Sequence, residues 1–174
     1  MSDPIACSEC GELHTLDEVE LVFRRPDAIV ALSDAEREAR CRESEDLCAI
    51  WGDSDDSHRY FVRGLLPLTV IGRPLDYRLG VWMEVRRDVF DRIYALWDSD
   101  TQLDEPPLDG LLANDVPTRP GSLGLHGKIH LTGPETRPEF MVADAAAALF
   151  ADQRDGISAH QATAFVRSLD RRSA

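Results

Sequence analysis

The stretch HRYFVRGLLPLTVIG at 58–72, followed by YRLGVWMEV at 77–85, decides the predicted fold. Its apolar residues are mainly β-branched, aromatic and leucine, and prolines at 67 and 74 interrupt it, which predicts three successive strands, HRYFVRGLL, LTVIG and YRLGVWMEV. In the last of these, apolar residues recur at every second position: Leu79, Val81, Met83 and Val85. Side chains two positions apart in a strand share one face, so this face is predicted to be buried.

Two further strands are predicted on the N-terminal side of this stretch. The apolar run LCAIW at 47–51 is separated from HRYFVRGLL by the polar turn GDSDDS at 52–57. This arrangement predicts a β-hairpin with a loop longer than the two-residue type. Nearer the N-terminus, the segment 19–23 is rich in valine, leucine and phenylalanine and is closed by Pro26, which predicts another strand.

Three to four helices are predicted, two of them from a capping box, in which a serine is followed three residues later by Glu or Gln. These boxes are Ser33 with Glu36 and Ser158 with Gln161. The predicted helices span about 34–42, about 87–98, an alanine-rich segment between Asp144 and Gly156, and a last segment after Ser158. The helix at 87–98 is predicted from apolar residues at positions i, i+3, i+4 and i+7.

The remaining segments complete an α+β prediction. LGLHGKIHL at 123–131 alternates strictly, and EFMVA at 139–143 is apolar, so both are predicted strands. The stretch 99–123 is rich in Pro, Gly and Asp and is predicted to be mostly irregular. A loop of this length is typically functional or contains an unrecognised strand. Because strands and helices are mixed rather than strictly alternating, we expect a largely antiparallel sheet in one domain, residues 1–174.

Charge and composition restrict the partners. The net charge is −13 and the sequence pI is about 4.7, a surface that repels nucleic acid and anionic membranes and attracts a basic protein partner. No apolar run approaches the roughly 20 residues of a membrane span. The N-terminus lacks the basic and apolar regions of a signal peptide, so we expect a cytoplasmic protein. Nothing in the sequence indicates an oligomeric state.

The N-terminal motif CSECGELH at 7–14 is the strongest chemical signal. A C-x-x-C turn presents two sulfur atoms to one point, and tetrahedral zinc requires four soft or borderline ligands. Cys7 and Cys10 supply two ligands, and His14 and Cys48 are the predicted third and fourth. Cys41 and His58 are the alternatives. The sequence therefore predicts structural Zn²⁺ in a cysteine-rich knuckle within residues 1–50.

Two other interpretations of the cysteines stay open. They could be buried reduced thiols, or Cys7 and Cys10 could form a redox-active dithiol. The dithiol is the weaker alternative, because the strand and helix that flank such motifs in thioredoxin-like proteins are not predicted here.

The strand at 123–131 carries the second candidate site. His126, Lys128 and His130 fall on one face of it, and such a face can bind a phosphate, a carboxylate or a metal, or supply a general base. Neither a G-x-S-x-G, a P-loop nor an H-E-x-x-H motif occurs in the sequence. We therefore expect a zinc-stabilised protein-binding or regulatory module with an acidic surface, with a small-molecule enzyme that uses this face as the alternative.

Several motifs resemble an uncharacterised bacterial family called domain of unknown function 2199. In chain order they are CSECGELH at 7–14, AEREARCRESEDLCAI at 35–50, YFVRGLLPLTVIG at 60–72, LGVWMEV at 79–85, DGLLANDVP at 109–117, RPEFMV at 137–142 and DQRDGIS at 152–158. The family's paired cysteines and histidine correspond to Cys7, Cys10 and His14, and its Asp-x-Cys corresponds to Asp46 and Cys48. This correspondence favours Cys48 over Cys41 as a ligand, and it implies no catalytic residue.

Overall fold

The computed structural model describes residues 5–6, 11, 13–14, 21–74 and 76–170, without the side chains of residues 5, 14, 166, 169 and 170. The strands are β1 (Ile5–Ala6), β2 (Leu13–His14), β3 (Cys41–Glu43), β4 (Leu47–Ile50), β5 (Arg59–Leu68), β6 (Tyr77–Val85), β7 (Leu108–Leu112), β8 (His126–His130) and β9 (Glu139–Val142). The α-helices are α1 (Asp27–Val30), α2 (Asp34–Arg40), α3 (Arg87–Leu96), α4 (Ala148–Asp155) and α5 (Ala159–Asp170). The predicted α+β class is confirmed.

The sheet closes on itself to form a small barrel. Strands β3 to β9 pair in chain order, each antiparallel to the next. In addition, β9 pairs in parallel with β5 at Leu65 and Glu139. Because β5 pairs with both β6 and β9, strands β5 to β9 form a closed ring, and β3 and β4 extend the sheet beyond it. The predicted largely antiparallel sheet is therefore confirmed.

A glycine permits this closure. Leu65 N donates to Pro138 O at 2.8 Å, at the junction of β5 and β9. A Cβ atom at the neighbouring Gly64 would lie 2.7 Å from the same carbonyl oxygen. Such a contact is too short for a carbon atom, so the backbones can approach this closely only where no side chain is present.

Apolar side chains fill the barrel, and two helices pack aromatic rings at opposite ends of its longest ladder. The inner faces contribute Val62, Leu66, Leu79, Val81, Met83, Ile129 and Phe140, all fully buried. At one end, Phe90 of α3 lies 5.1 Å from Tyr60 between ring centroids. At the other end, Phe165 of α5 stacks on Tyr77 at 6.0 Å.

The segment 21–32, which includes α1, packs against β6, and residues 21–23 run alongside this strand. Phe23 N donates to Gly80 O, and Gly80 N donates to Leu21 O. Trp82 Nε1 donates to Phe23 O at 3.1 Å, and Ile29 is fully buried. Of the predicted strand at 19–23, residues 19 and 20 lie outside the described residues, and Val22 forms an isolated bridge with Gly80.

Several local predictions are confirmed. Ser33 and Glu36 form the predicted capping box of α2, and the side chains of Ser158 and Gln161 exchange hydrogen bonds with each other's backbone at the start of α5. Strands β4 and β5 form the predicted hairpin. The structure has five α-helices among its described residues, one more than predicted, because the four-residue α1 has no periodic pattern.

Two strand predictions were wrong or incomplete. LTVIG is not a strand of its own, because β5 continues through Pro67 to Leu68 and the chain then turns at Ile71 and Gly72. The stretch 99–123 contains β7, which the sequence analysis did not identify.

Candidate ligand-binding site

A half-open cleft of about 440 Å³ lies on the outer face of the barrel, and we call it the α1 cleft. One wall is α1 with Ala31, the other is the chain from Leu112 to Gly124, and Phe61 of β5 lies between them. Its apolar lining residues are Ala28, Ala31, Phe61, Leu112, Ala113 and Leu123, and its charged ones are Asp27, Arg59 and Glu84. Apolar walls with few charged groups are typical of ligand-binding pockets.

Arg59 and Glu84 form a bidentate ion pair in the cleft. Arg59 Nε and Nη2 each donate to one Glu84 carboxylate oxygen at 2.7 Å. The guanidinium carbon lies 5.3 Å from the centre of the Phe61 ring. The hydrogen bonds to Glu84 raise the pKa of Arg59. Each carboxylate oxygen can accept a further hydrogen bond, which leaves Glu84 able to bind a ligand donor.

A buried polar network joins the two walls of the cleft. Asn114 is fully buried, and its Oδ1 accepts from Trp82 N at 2.8 Å. Its Nδ2 donates to Arg25 O at 2.9 Å and to Asp27 Oδ1 at 3.0 Å. Asp115 N donates to Asp27 Oδ2 at 2.8 Å. Because these bonds connect β6, the α1 segment and the 112–124 chain, the spacing of the walls is set before any ligand binds.

The 112–124 chain is also held together internally. Asp115 Oδ1 accepts from both the N and the Oγ of Ser122 at 3.1 Å. Ser122 Oγ in turn accepts from Val116 N at 2.6 Å. Gly124 N donates to Leu112 O at 2.7 Å. These bonds fix the loop that carries Leu123, whose side chain is 53% exposed at the rim of the cleft.

The face that carries His126, Lys128 and His130 is adjacent to the cleft. The two histidines are exposed and Lys128 is half-buried, so the predicted alternation of this strand is confirmed. Glu84 pairs with Leu111, and Leu111 pairs with His126, on neighbouring strands. With strands about 4.8 Å apart, the backbones of Glu84 and His126 are separated by roughly 10 Å.

The charges on this face are paired with one carboxylate. Asp109 of β7 lies opposite Lys128, and its Oδ1 is 2.6 Å from Lys128 Nζ and 3.3 Å from His126 Nε2. The hydrogen bond from Lys128 lowers the pKa of Asp109. We call these four residues, His126, Lys128, His130 and Asp109, the polar strip. Sequence reasoning missed Asp109 because it missed β7.

A second recess, of about 280 Å³, lies between residues 119–122 and the start of α4. Arg119 lines it, but this guanidinium donates to both Asp152 oxygens, at 2.6 and 3.2 Å. Both side chains are largely buried, and each neutralises the other. The charge of Arg119 is therefore neutralised by Asp152, so among its described lining residues this recess offers no free cation to a ligand.

Only part of the predicted zinc site lies among the described residues. Cys7 and Cys10 lie outside them, and His14 is described only as a backbone position of β2, opposite Ile5. Cys48 is buried in β4, and burial is the main cause that raises its pKa well above the ordinary thiol value. A raised pKa opposes the thiolate that zinc requires. Within the described part of the chain, no three His, Cys, Asp or Glu side chains cluster as a metal site.

The two alternative ligands, Cys41 and His58, differ in their surroundings. Cys41 is buried on β3, and burial also raises the pKa of its thiol. His58 Nδ1 accepts from Gly52 N at 3.3 Å, and its ring packs edge-on against Trp51 with centroids 4.7 Å apart. The described contacts of His58 thus stabilise the turn between β4 and β5.

Together, the fold and the site define a small α+β barrel protein with a preformed, half-open cleft on its outer face. A model of the family described as an uncharacterized protein conserved in bacteria, DUF2199, matches residues 6–157, and the chain belongs to this family. Neither the curated proteins nor the solved structures include a match to the chain. Among the described helices, none is long and apolar enough to cross a membrane.

Proposed function

We propose that this protein is a binding module that engages a basic protein partner through the α1 cleft. The observation that carries the proposal is the cleft itself, which is concave, has apolar walls and is held open by the Asn114 network. A preformed site loses little conformational entropy on binding, so more of the contact energy contributes to affinity.

The rim of the cleft supports a macromolecular partner. Leu123 at 53% exposure, Val30 at 65% and Leu111 at 39% place exposed apolar side chains on or next to the cleft walls. Apolar surface around a concave centre is typical of protein interaction sites. The net charge of −13 supports a basic partner, because it would accelerate the encounter and make binding sensitive to salt.

A pair of charge-introducing substitutions tests this proposal. Leu123→Arg places a positive charge at the rim of the cleft, and Leu103→Arg places the same charge at a similarly exposed leucine outside it. Tagged versions of the wild type and both variants are purified from the native host at low and moderate salt, and bound proteins are quantified by mass spectrometry. We expect a basic protein to be recovered with the wild type and Leu103→Arg, and at least tenfold less with Leu123→Arg.

Two results would refute the proposal. One is equal recovery of the partner with Leu123→Arg and Leu103→Arg, which would place the interface elsewhere. The other is the absence of any salt-sensitive basic protein from the wild-type sample at low salt.

We also propose a structural zinc ion bound by Cys7, Cys10, His14 and Cys48. The C-x-x-C spacing and the following histidine support it, whereas the buried, protonated Cys48 makes the fourth ligand the weakest part. Bound zinc would cross-link the N-terminal segment, through Cys7, Cys10 and His14, to Cys48 of the sheet. Elemental analysis of protein purified without chelator or metal-affinity steps should give about one zinc per chain.

The two buried cysteines provide a matched comparison for the fourth ligand. Cys48→Ala should lower the zinc content, whereas Cys41→Ala, on the adjacent strand, should not. Folded wild-type protein without zinc would end the metal proposal. Equal zinc content in both variants would remove Cys48 from the proposed ligand set and leave the other three ligands in place.

A small-molecule enzyme that uses His126, Lys128 and His130 is the second candidate function. The contact between His126 Nε2 and Asp109 Oδ1 favours it, because a carboxylate can orient an imidazole as a general base. Against it, the same oxygen accepts a shorter hydrogen bond from Lys128. Alanine at both histidines should abolish any hydrolase or transferase activity found by screening; an active, folded double variant would dismiss this candidate.

A further inference from the structure

We propose that the α1 cleft binds a guanidinium group, the arginine side chain of a basic partner segment. This inference rests on the proposed function and specifies its chemistry. Three charged residues line the cleft, the carboxylates of Asp27 and Glu84 and the guanidinium of Arg59. One negative charge therefore remains after Arg59 is paired, and it favours a cationic ligand over an anionic one.

The carboxylates are fixed in position. Asp27 accepts one hydrogen bond on each oxygen, from Asn114 Nδ2 and Asp115 N. Glu84 is held by both donors of Arg59, and its side chain is only 27% exposed. Because both carboxylates are already anchored, they need little reorganisation to accept a further donor. Fixed carboxylates of this kind favour charge-assisted hydrogen bonds with a cationic ligand.

The apolar part of the cleft lining suits an alkyl stem. Ala28, Ala31 and Leu123 present carbon atoms along the walls, and an arginine or lysine side chain carries its charge at the end of three or four methylene groups. Guanidinium is more weakly hydrated than ammonium and matches a carboxylate with a planar pair of donors. Arginine is therefore favoured over lysine for a cleft with apolar walls.

Small-molecule probes on the full chain test the inference. The ¹⁵N-labelled protein is titrated with n-butylguanidinium, n-butylammonium and n-butyrate, and amide shifts are followed by NMR. We expect n-butylguanidinium to shift the amides of Ala113, Leu123 and Gly124 with a dissociation constant on the order of 10 mM. The ammonium should bind several-fold more weakly, and butyrate should cause no saturable shift at these amides.

A matched pair of glutamate variants identifies the recognition group. Glu84→Gln removes the negative charge of the proposed acceptor, and Glu105→Gln alters a similar bidentate pair, with Arg92, outside the cleft. We expect Glu84→Gln to weaken n-butylguanidinium binding about tenfold, as loss of a charge-assisted hydrogen bond implies, and Glu105→Gln to leave it unchanged. The ligand series on the wild type does not depend on how well either variant folds.

Three outcomes would overturn the inference: tighter binding of butyrate at the same amides, equal weakening by both variants, or no saturable shift with n-butylguanidinium. These outcomes are distinct from failure of the proposed function. If Leu123→Arg loses the partner but n-butylguanidinium does not bind, the cleft remains the interface and only the guanidinium assignment fails. If Leu123→Arg keeps the partner, the proposed function fails whatever the probes show.

Discussion

The α1 cleft and the polar strip lie side by side on the outer face of one barrel, yet they differ in shape and in the state of their charges. The cleft is concave because two chain segments rise above the sheet and are joined by Asn114. The strip consists of sheet residues, and Asp109 already pairs with both Lys128 and His126. The comparison shows that a row of titratable side chains is a weaker indication of a site than a fixed concavity with spare acceptors.

The largest expected difference between the two regions is in stability. Asn114→Ala removes three hydrogen bonds and leaves the buried Trp82 N–H without an acceptor. We expect the free energy of unfolding to fall by about 3 kcal/mol, since an unsatisfied buried group costs about 1–3 kcal/mol in addition to the lost bonds. Urea denaturation followed by tryptophan fluorescence measures this change.

His130→Ala is the matched change on the strip. His130 is exposed, and we expect its substitution to alter the free energy of unfolding by less than about 0.5 kcal/mol. If the two substitutions destabilise the protein equally, the Asn114 network does not have the structural role assigned to it.

A smaller effect, on the pKa of Asp109, distinguishes its two partners Lys128 and His126. Its pKa is lowered first by the hydrogen bond from Lys128, and more weakly by the charge of His126. Lys128→Ala should therefore raise the pKa of Asp109 towards its ordinary value, and His126→Ala should raise it less. NMR titration of the side-chain carboxyl carbon measures both shifts, and a larger shift for His126→Ala would show that the pairing is assigned wrongly.

The pH dependence of this pair has a defined sign. Because the folded-state pKa of Asp109 is below the unfolded-state value, its contribution to stability is present above the unfolded value, about pH 4, and is lost as the pH falls through the folded value. Asp109 is exposed, so this contribution is small, and we expect Lys128→Ala to lower the urea midpoint at neutral pH only slightly.

The sequence predicted those elements whose signals are local. The capping serines at 33 and 158 and the alternation of β8 depend on residues a few positions apart, and all three predictions are confirmed. Strand β7 was missed because LDGLL is short, contains Asp and Gly, and follows Pro106 and Pro107.

Pro67 misled the strand assignment for a different reason. Leu65 N points towards β9, and the nitrogen of Pro67, two residues later, lies on the same side of β5. The described pairing of β9 with β5 is at Leu65, so proline at 67 removes no hydrogen bond from that pair. A sequence pattern cannot show which side of a strand is unpaired.

The cleft was beyond sequence reasoning because its parts are distant in the chain. Asp27 and Asn114 are 87 positions apart, and Arg59 and Glu84 are 25 apart on neighbouring strands. The motif DGLLANDVP at 109–117 contains both Asn114 and Asp115, but nothing in its composition indicates their contacts. The pairing of β5 with β6 brings Arg59 and Glu84 together, and the contacts of both cleft walls with β6 bring Asp27 and Asn114 together.

Site-specific photo-crosslinking tests the central claim most directly, namely that the cleft and not the strip is the interaction surface. A benzophenone amino acid replaces Leu123 in one sample and His130 in another, both exposed positions, and cells of the native host are irradiated. We predict an adduct with a basic protein from position 123 and none from position 130. Adducts from position 130 without any from position 123 would contradict the account.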